Sequence, residues 1–266
     1  MLEKLLITGA SGGLGQICRQ SLKPLARTMR LTARSGLGEA GEGEEIVYGS
    51  LDDAAALAEI VEGCDGIVHL GGQATEASWE TIRAANIDGI VNLYEAVRLS
   101  TTKPRIIFAS SNHTIGFYPQ NQRLDTRSPV RPDGYYGVSK VFGEALASMY
   151  YDKFGIETAS VRIGSCTAEP ENYRMLSTWL SHRDFAQLIA RIFAVPVLGC
   201  QVIYGASANS AGWWDNSAVS FLGWQPQDNA EAYRAKIEQS VPRPDPDAPV
   251  AKYQGGVFCA DPIFKE

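Results

Sequence analysis

An octet of small residues near the start, Thr8-Gly9-Ala10-Ser11-Gly12-Gly13-Leu14-Gly15, constrains this chain more than anything else in it. It directly follows the apolar run Lys4–Thr8 and precedes Ile17–Ala26, which can form a helix, with Met29–Thr32 as the next apolar run. A strand, a glycine turn, a helix and a second strand make a βαβ start. Glycines at 9, 12, 13 and 15 permit a tight turn and close approach of a ligand to the backbone. The helix that follows presents unpaired N–H groups and a positive dipole end, which suit a pyrophosphate. The spacing G-x-x-G-x-x-G is one residue longer in its first gap than the common dinucleotide fingerprint, but the physics is the same.

Further apolar runs of strand length stand at Gly66–Leu70, Arg105–Ser110, Glu157–Ile163 and Gln201–Tyr204, separated by helical stretches such as Ala54–Glu62 and Ala85–Leu99. Alternation of this kind predicts an α/β fold, a Rossmann-type doubly wound parallel sheet with both faces covered. Tyr136–Lys153 reads as a long helix, and Thr178–Phe193 has apolar positions at helical spacing. Either could pack against a second copy, so a homo-oligomer is expected. The stretch Val241-Pro-Arg-Pro-Asp-Pro-Asp-Ala-Pro249 cannot be helical and is placed on the surface. At 266 residues the chain has room for one domain, 1–266, whose C-terminal part supplies a small substrate cover from about 165–185 and 205–266.

The net charge of −6 argues against a nucleic-acid partner, which calls for a basic surplus. No apolar run approaches the roughly 20 residues of a membrane helix. The first residues enter a strand without the zones of a signal peptide, so a cytoplasmic enzyme is expected. Five widely spaced cysteines without a C-x-x-C pair read as buried small apolar residues, and no metal site is expected.

The end of the second strand selects between dinucleotides, because an acid there holds the 2′-hydroxyl of NAD and an arginine accommodates the 2′-phosphate of NADP. The sequence is Ala33-Arg34-Ser35, with no acid, one cation and one hydroxyl donor. NADP is therefore favoured, with NAD as the other possibility.

Tyr136 and Lys140 are four residues apart, on one face of a helix. A nearby ammonium favours the phenolate, which proton abstraction from a hydroxyl requires. Upstream, Ser110-Ser111-Asn112-His113 ends a strand in polar groups at the carboxyl edge of the sheet, where open α/β folds bind ligands. Ser111 is assigned the hydroxyl that orients the reacting oxygen.

With TGASGGLG at 8–15, His69-Leu70-Gly71-Gly72, Asn86-Ile87-Asp88-Gly89, Ser110-Ser111, Tyr136 and Lys140, the chain resembles the extended short-chain dehydrogenase/reductases. Longer segments, FASSNHTIGFY (108–118), RPDGYYGVSK (131–140), VRIGSC (161–166), NYRMLSTWLS (172–181), YGASAN (204–209), WWDN (213–216) and YQGGVF (253–258), resemble the uronate dehydrogenases within that group. That resemblance implies oxidation of C1 of glucuronate or galacturonate to an aldarolactone. It implies Tyr136 as base, Lys140 as its partner and Ser111 beside them. For the dinucleotide it implies Gly9, Gly12, Gly13, Leu14, Gly15, Ala33, Arg34, Ser35, Ser50, Leu51, Leu70, Gly71, Gly72, Lys140 and Ile163. For the sugar acid it implies Thr75, Ser111, Asn112, His113, Tyr136, Ser165, Arg174 and Phe258. A uronate carries a fixed carboxylate, and the fork of Arg174 can hold it bidentately.

Three positions depart from the family: Ala33 and Ser50 stand where acids are usual, and Ala74 where a serine is. The first two lie on the adenosine side and are changes that an NADP site would carry. A nucleotide-sugar epimerase or dehydratase would share the loop, tyrosine and lysine, but dehydratases add acids between the strand serine and the tyrosine, where this chain is read as supplying Asn112 and His113. A non-catalytic dinucleotide sensor would tolerate loss of Tyr136 or Lys140, and both are kept.

Overall fold

A computed structural model describes residues 1–263. Its centre is a seven-stranded, wholly parallel sheet. The strands are β1 (Leu2–Thr8), β2 (Ala26–Ala33), β3 (Glu44–Tyr48), β4 (Gly66–His69), β5 (Arg105–Ser111), β6 (Thr158–Ile163) and β7 (Cys200–Gly205). They lie in the order β7-β6-β5-β4-β1-β2-β3. The order reverses between β1 and β4, and a ligand crevice opens beyond the carboxyl ends of strands at such a reversal. In β1 the run Leu5–Thr8 is buried without interruption, as a strand covered on both faces must be.

The main helices are α1 (Gly13–Ser21), α2 (Ala54–Val61), α3 (Gly89–Leu99), α4 (Tyr135–Phe154) and α5 (His182–Ala194). One face of the sheet packs on α1 and α5 through Cys18, Phe185, Leu188, Ile189 and Ile192. The other packs on α2, α3 and α4 through Leu57, Ile60, Leu93, Tyr94, Val97 and Tyr150. A satellite cluster of Leu176, Trp179, Ala230 and Ile237 lies outside the sheet. The doubly wound Rossmann-type architecture is the one the residue pattern predicts.

Several boundaries differ. The first helix begins at Gly13 and stops at Ser21, not Ala26, because Pro24 sits in a 3₁₀ turn at Lys23–Leu25 and Ala26 already belongs to β2. The continuous helix expected over Thr178–Phe193 is broken: Trp179–Leu180 pairs in parallel with Ser165–Cys166, and α5 starts only after Ser181, whose hydroxyl caps the Asp184 amide. The stretch Ala85–Leu99 is interrupted as well, since Arg83–Asp88 forms a π turn ahead of α3. Edge strand β3 has no counterpart among the apolar runs read from the sequence. Among the described residues no helix is long and apolar enough to cross a membrane, and no group of metal-binding side chains is present.

Candidate active site

The glycine loop bridges β1 and α1. Gly9 has φ +66°, and a side chain there would lie 2.8 Å from the Gly71 nitrogen. A side chain at Gly15 would collide with the Gly9 carbonyl. Gly12 occupies the N-cap of α1 with no side-chain hydrogen bond, so no side chain occludes the first amides. Gly13 has open space around it, and Leu14 packs on the core beneath. From the facing side comes Leu70-Gly71-Gly72: the Gly71 amide donates to Thr8 Oγ1 at 3.1 Å, and Gly72, at φ +133°, leaves room for Asn86. Leu51 touches the Cβ positions of both Gly71 and Gly89, and Ser50 precedes it at the rim. Ala33 is buried at the tip of β2, while Arg34 and Ser35 are exposed; Arg34 has no ion-pair partner among the described residues. A cradle lined by backbone, where a Cβ at Gly9 or Gly15 would intrude, next to free helix amides, fits a dinucleotide.

The candidate catalytic residues stand at the carboxyl ends of β5 and β6. Tyr136 is in the first turn of α4 and Lys140 one turn on, both buried. Burial pushes the Tyr136 phenol up to about 12, offset in part by the Ser111 hydroxyl and aided by the Asp133 charge. Burial draws the Lys140 ammonium down to about 8. Lys140 Nζ lies 5.5 Å from the centre of the Tyr136 ring and 5.0 Å from that of Phe108. The ammonium thus rests over the two aromatic faces, and in this structure burial outweighs every other influence on the phenol.

Beyond Ser111 a 3₁₀ turn, Asn112–Ile115, brings the next polar groups inward, with Ser111 Oγ accepting from the His113 amide at 3.2 Å. Asn112, oriented to satisfy both ends of its amide, donates to the Ile163 carbonyl at 3.1 Å and accepts from Arg174 at 2.5 Å. Arg174 also donates to the Gln254 carbonyl at 2.6 Å and reaches Ser165 Oγ at 3.4 Å. Its surroundings lower it from the usual guanidinium value to about 10, chiefly by burial. Phe258 stacks on His113 with ring centres 3.9 Å apart. Thr75 is exposed at the rim, where it accepts from the Gln73 side chain, and Ala74 beside it is exposed as well. Ser111, Asn112, His113, Tyr136, Ser165, Arg174 and Phe258 thus converge on one wall, and Thr75 stands apart at its edge.

Four residues receive no role from the sequence, although Asn86, Asp133 and Gln254 lie in segments that carry the family resemblance. Glu76 accepts hydrogen bonds from the Tyr135 and Tyr136 amides at 2.9 and 2.8 Å, capping α4 from a distant loop. Asn86, in the π turn, holds Gln73 on one side and Ser139 of α4 on the other. Gln254 is wholly buried and bonds Trp214, Pro119 and Gln122. Asp133 binds His113 Nδ1 at 2.7 Å, so the stretch between strand serine and tyrosine does place an acid at the site, contrary to the expectation. None bears a local signal, since each acts across more than a dozen residues of sequence.

Residues 5–192 match the NAD dependent epimerase/dehydratase family. The uronate dehydrogenase of Agrobacterium fabrum is 58% identical over 265 residues, covering 100% of both chains. The chain belongs to the uronate dehydrogenases of that family. The uronate dehydrogenase of Pseudomonas putida is 50% identical over 97% of this chain and 96% of its own. A crystal structure of a tyrosine-to-alanine variant of the Agrobacterium tumefaciens uronate dehydrogenase, complexed with NAD, superposes with a TM-score of 0.97 at 58% identity, covering 99% of each chain. The match runs the full length of this family member, including the segments around Arg174 and Phe258.

Proposed function

We propose that this chain oxidises C1 of a hexuronate, glucuronate or galacturonate, to the aldarolactone with NAD(P) as the oxidant. Arg174 carries the reading. It is a guanidinium joined through Asn112 to the turn that bears Ser111, and no carboxylate forms an ion pair with it among the described residues. A half-buried cation whose neighbouring carboxylate, Asp133, forms no ion pair with it calls for an anionic ligand, and a fork calls for a carboxylate. Bound NAD(P) in its oxidised form supplies the hydride acceptor and a positive charge. Tyr136 takes the proton of the C1 hydroxyl, Ser111 orients that oxygen, and Lys140, still protonated at pH 7, favours the phenolate by its charge. Because the ring oxygen stays bonded to C1, loss of hydride and proton leaves a lactone.

NADP is accepted at least as well as NAD, supported by the apolar Ala33 and the unpaired Arg34. Segments 165–185 and 205–266 are read as the substrate cover of the single domain, 264–266 lying outside the described residues. The enzyme is read as cytoplasmic and homo-oligomeric, the latter supported by Val138, Met149, Tyr151 and Phe154 exposed along α4. Initial rates with glucuronate, galacturonate and glucose, each with NAD and NADP, test the reading. Both uronates should be oxidised and glucose poorly; equal efficiency on glucose and glucuronate would overturn it, and turnover of a nucleotide sugar instead would favour an epimerase or dehydratase.

A further inference from the structure

The His113 imidazole is held on three sides. Phe258 covers one face, Tyr136 meets it edge-on with ring centres 5.8 Å apart, and Asp133 Oδ2 lies 2.7 Å from Nδ1. The carboxylate has been given room for this contact: a side chain at either Gly116 or Gly255 would collide with Asp133 Oδ2. The two residues are tied a second time, since the Asp133 amide donates to the His113 carbonyl at 3.4 Å. Asp133 Oδ1 is buried and bonds to nothing among the described residues, so the Asp133 carboxylate has His113 as its one strong side-chain partner. The remaining nearby polar groups, Cys259 Sγ at 3.9 Å and the charge of Arg174, make no close bond to it.

We infer that Asp133 is a positioning residue which holds His113 in the Nδ1–H form and so turns Nε2, as a hydrogen-bond acceptor, toward a hydroxyl of the sugar acid. An ionised carboxylate only accepts, so the proton of the shared bond sits on Nδ1. In the neutral ring Nε2 then carries the lone pair, and a hydroxyl is the group that donates to it. Stacking by Phe258 fixes the ring plane, and Asp133 fixes its rotation about that plane. His113 thereby discriminates among sugars by the hydroxyl it meets, while Arg174 holds the carboxylate. The inference about the sugar rests on the uronate reading above; the tautomer itself does not.

Two measurements separate them. Nitrogen-15 NMR of the imidazoles, with His113 assigned by comparison with His113→Gln, should show a protonated Nδ1 in the parent protein. In Asp133→Leu, which offers Nδ1 no acceptor, the proton should shift toward Nε2. A parent with bare Nδ1, or the same tautomer in both proteins, overturns the inference whether or not any uronate is oxidised.

Kinetically, Asp133→Asn should raise KM for the uronate by about twofold to tenfold, the range of a neutral hydrogen bond, with KM for the dinucleotide unchanged. In a His113→Ala background the same change should have no further effect on kcat/KM, because Asp133 acts through the ring. An equal loss in both backgrounds would mean that Asp133 merely supports the fold, and the assignment fails. Should either Asp133 variant not fold, the parent spectrum still decides.

Discussion

Tyr136 and Lys140 sit one helical turn apart in a site that charges enter at a cost. Removing the phenolic oxygen by Tyr136→Phe should leave dinucleotide affinity intact and lower kcat by roughly 10²–10⁴, the contribution of a positioned proton acceptor; retention of more than a tenth of the rate by stopped-flow assay refutes the role. Lys140 makes a second, thermodynamic prediction. Its native value of about 8 lies below the unfolded 10.5, so the folded protein binds fewer protons than the unfolded chain between those pH values. Burial of the ammonium is therefore a full penalty below pH 8 and fades as the pH rises toward 10.5. Lys140→Met should be inactive yet more stable at pH 7 by up to ~3 kcal/mol, at about 1.36 kcal/mol for each pH unit between the two values, and this gain should shrink in urea titrations run at rising pH. At the adenosine end, the double change Ala33→Asp with Arg34→Leu should reverse cofactor preference toward NAD, by about tenfold to a hundredfold in kcat/KM ratio at fixed ionic strength. A parent that prefers NAD by tenfold or more would leave Arg34 an ordinary surface charge.

Helix α4 carries Tyr136 in its first turn, and its N-cap, Gly134, offers no side chain to the amides that open the helix. Glu76 does so instead, from the loop that also holds Ala74 and Thr75. Glu76→Ala should cost about 1–2 kcal/mol, the loss of a cap and its dipole interaction, whereas Glu76→Gln, with one acceptor oxygen in place of two and no charge, should keep at most one of the two bonds. Faster hydrogen exchange at the Tyr135 and Tyr136 amides in the alanine variant is the direct check; unchanged exchange would show that the helix does not depend on this cap. Such a contact explains where reading a sequence stops. The glycine loop, the 136/140 pair and the strand serine are legible because their chemistry is local: a turn, one helical repeat, one strand end. Glu76 and Asp133 speak across 59 and 20 residues, and nothing in either neighbourhood announces the partner. Even among elements, the Pro24 stop for α1 and the Ser181 cap of α5 are written locally, but the apolar periodicity across 178–193 masks the break at Trp179.

At the level of the molecule, the sheet and the glycine cradle lie within the first two hundred or so residues, and their strand and loop patterns predict them correctly apart from edge strand β3. The chain beyond β7 is less readable, since its elements are short turns, a two-residue strand and a seven-residue helix with no period to recognise. Its order hangs on long-range contacts of which Gln254 makes the most: side-chain bonds to Trp214, Pro119 and Gln122, and a backbone carbonyl that receives Arg174. Gln254→Ala strands those buried partners and should destabilise the protein by roughly 2–4 kcal/mol, at ~1–3 kcal/mol for each unsatisfied group with partial relaxation. It should also raise KM for the uronate more than KM for the dinucleotide; an equal change in both would uncouple this residue from Arg174. The position of that wall in the chain matters for biosynthesis too. Translation delivers Gly9, Tyr136 and Lys140 well before residues 254–258, so on the ribosome the glycine loop and the 136/140 pair are made before the last segment of the wall that Arg174 and Phe258 share.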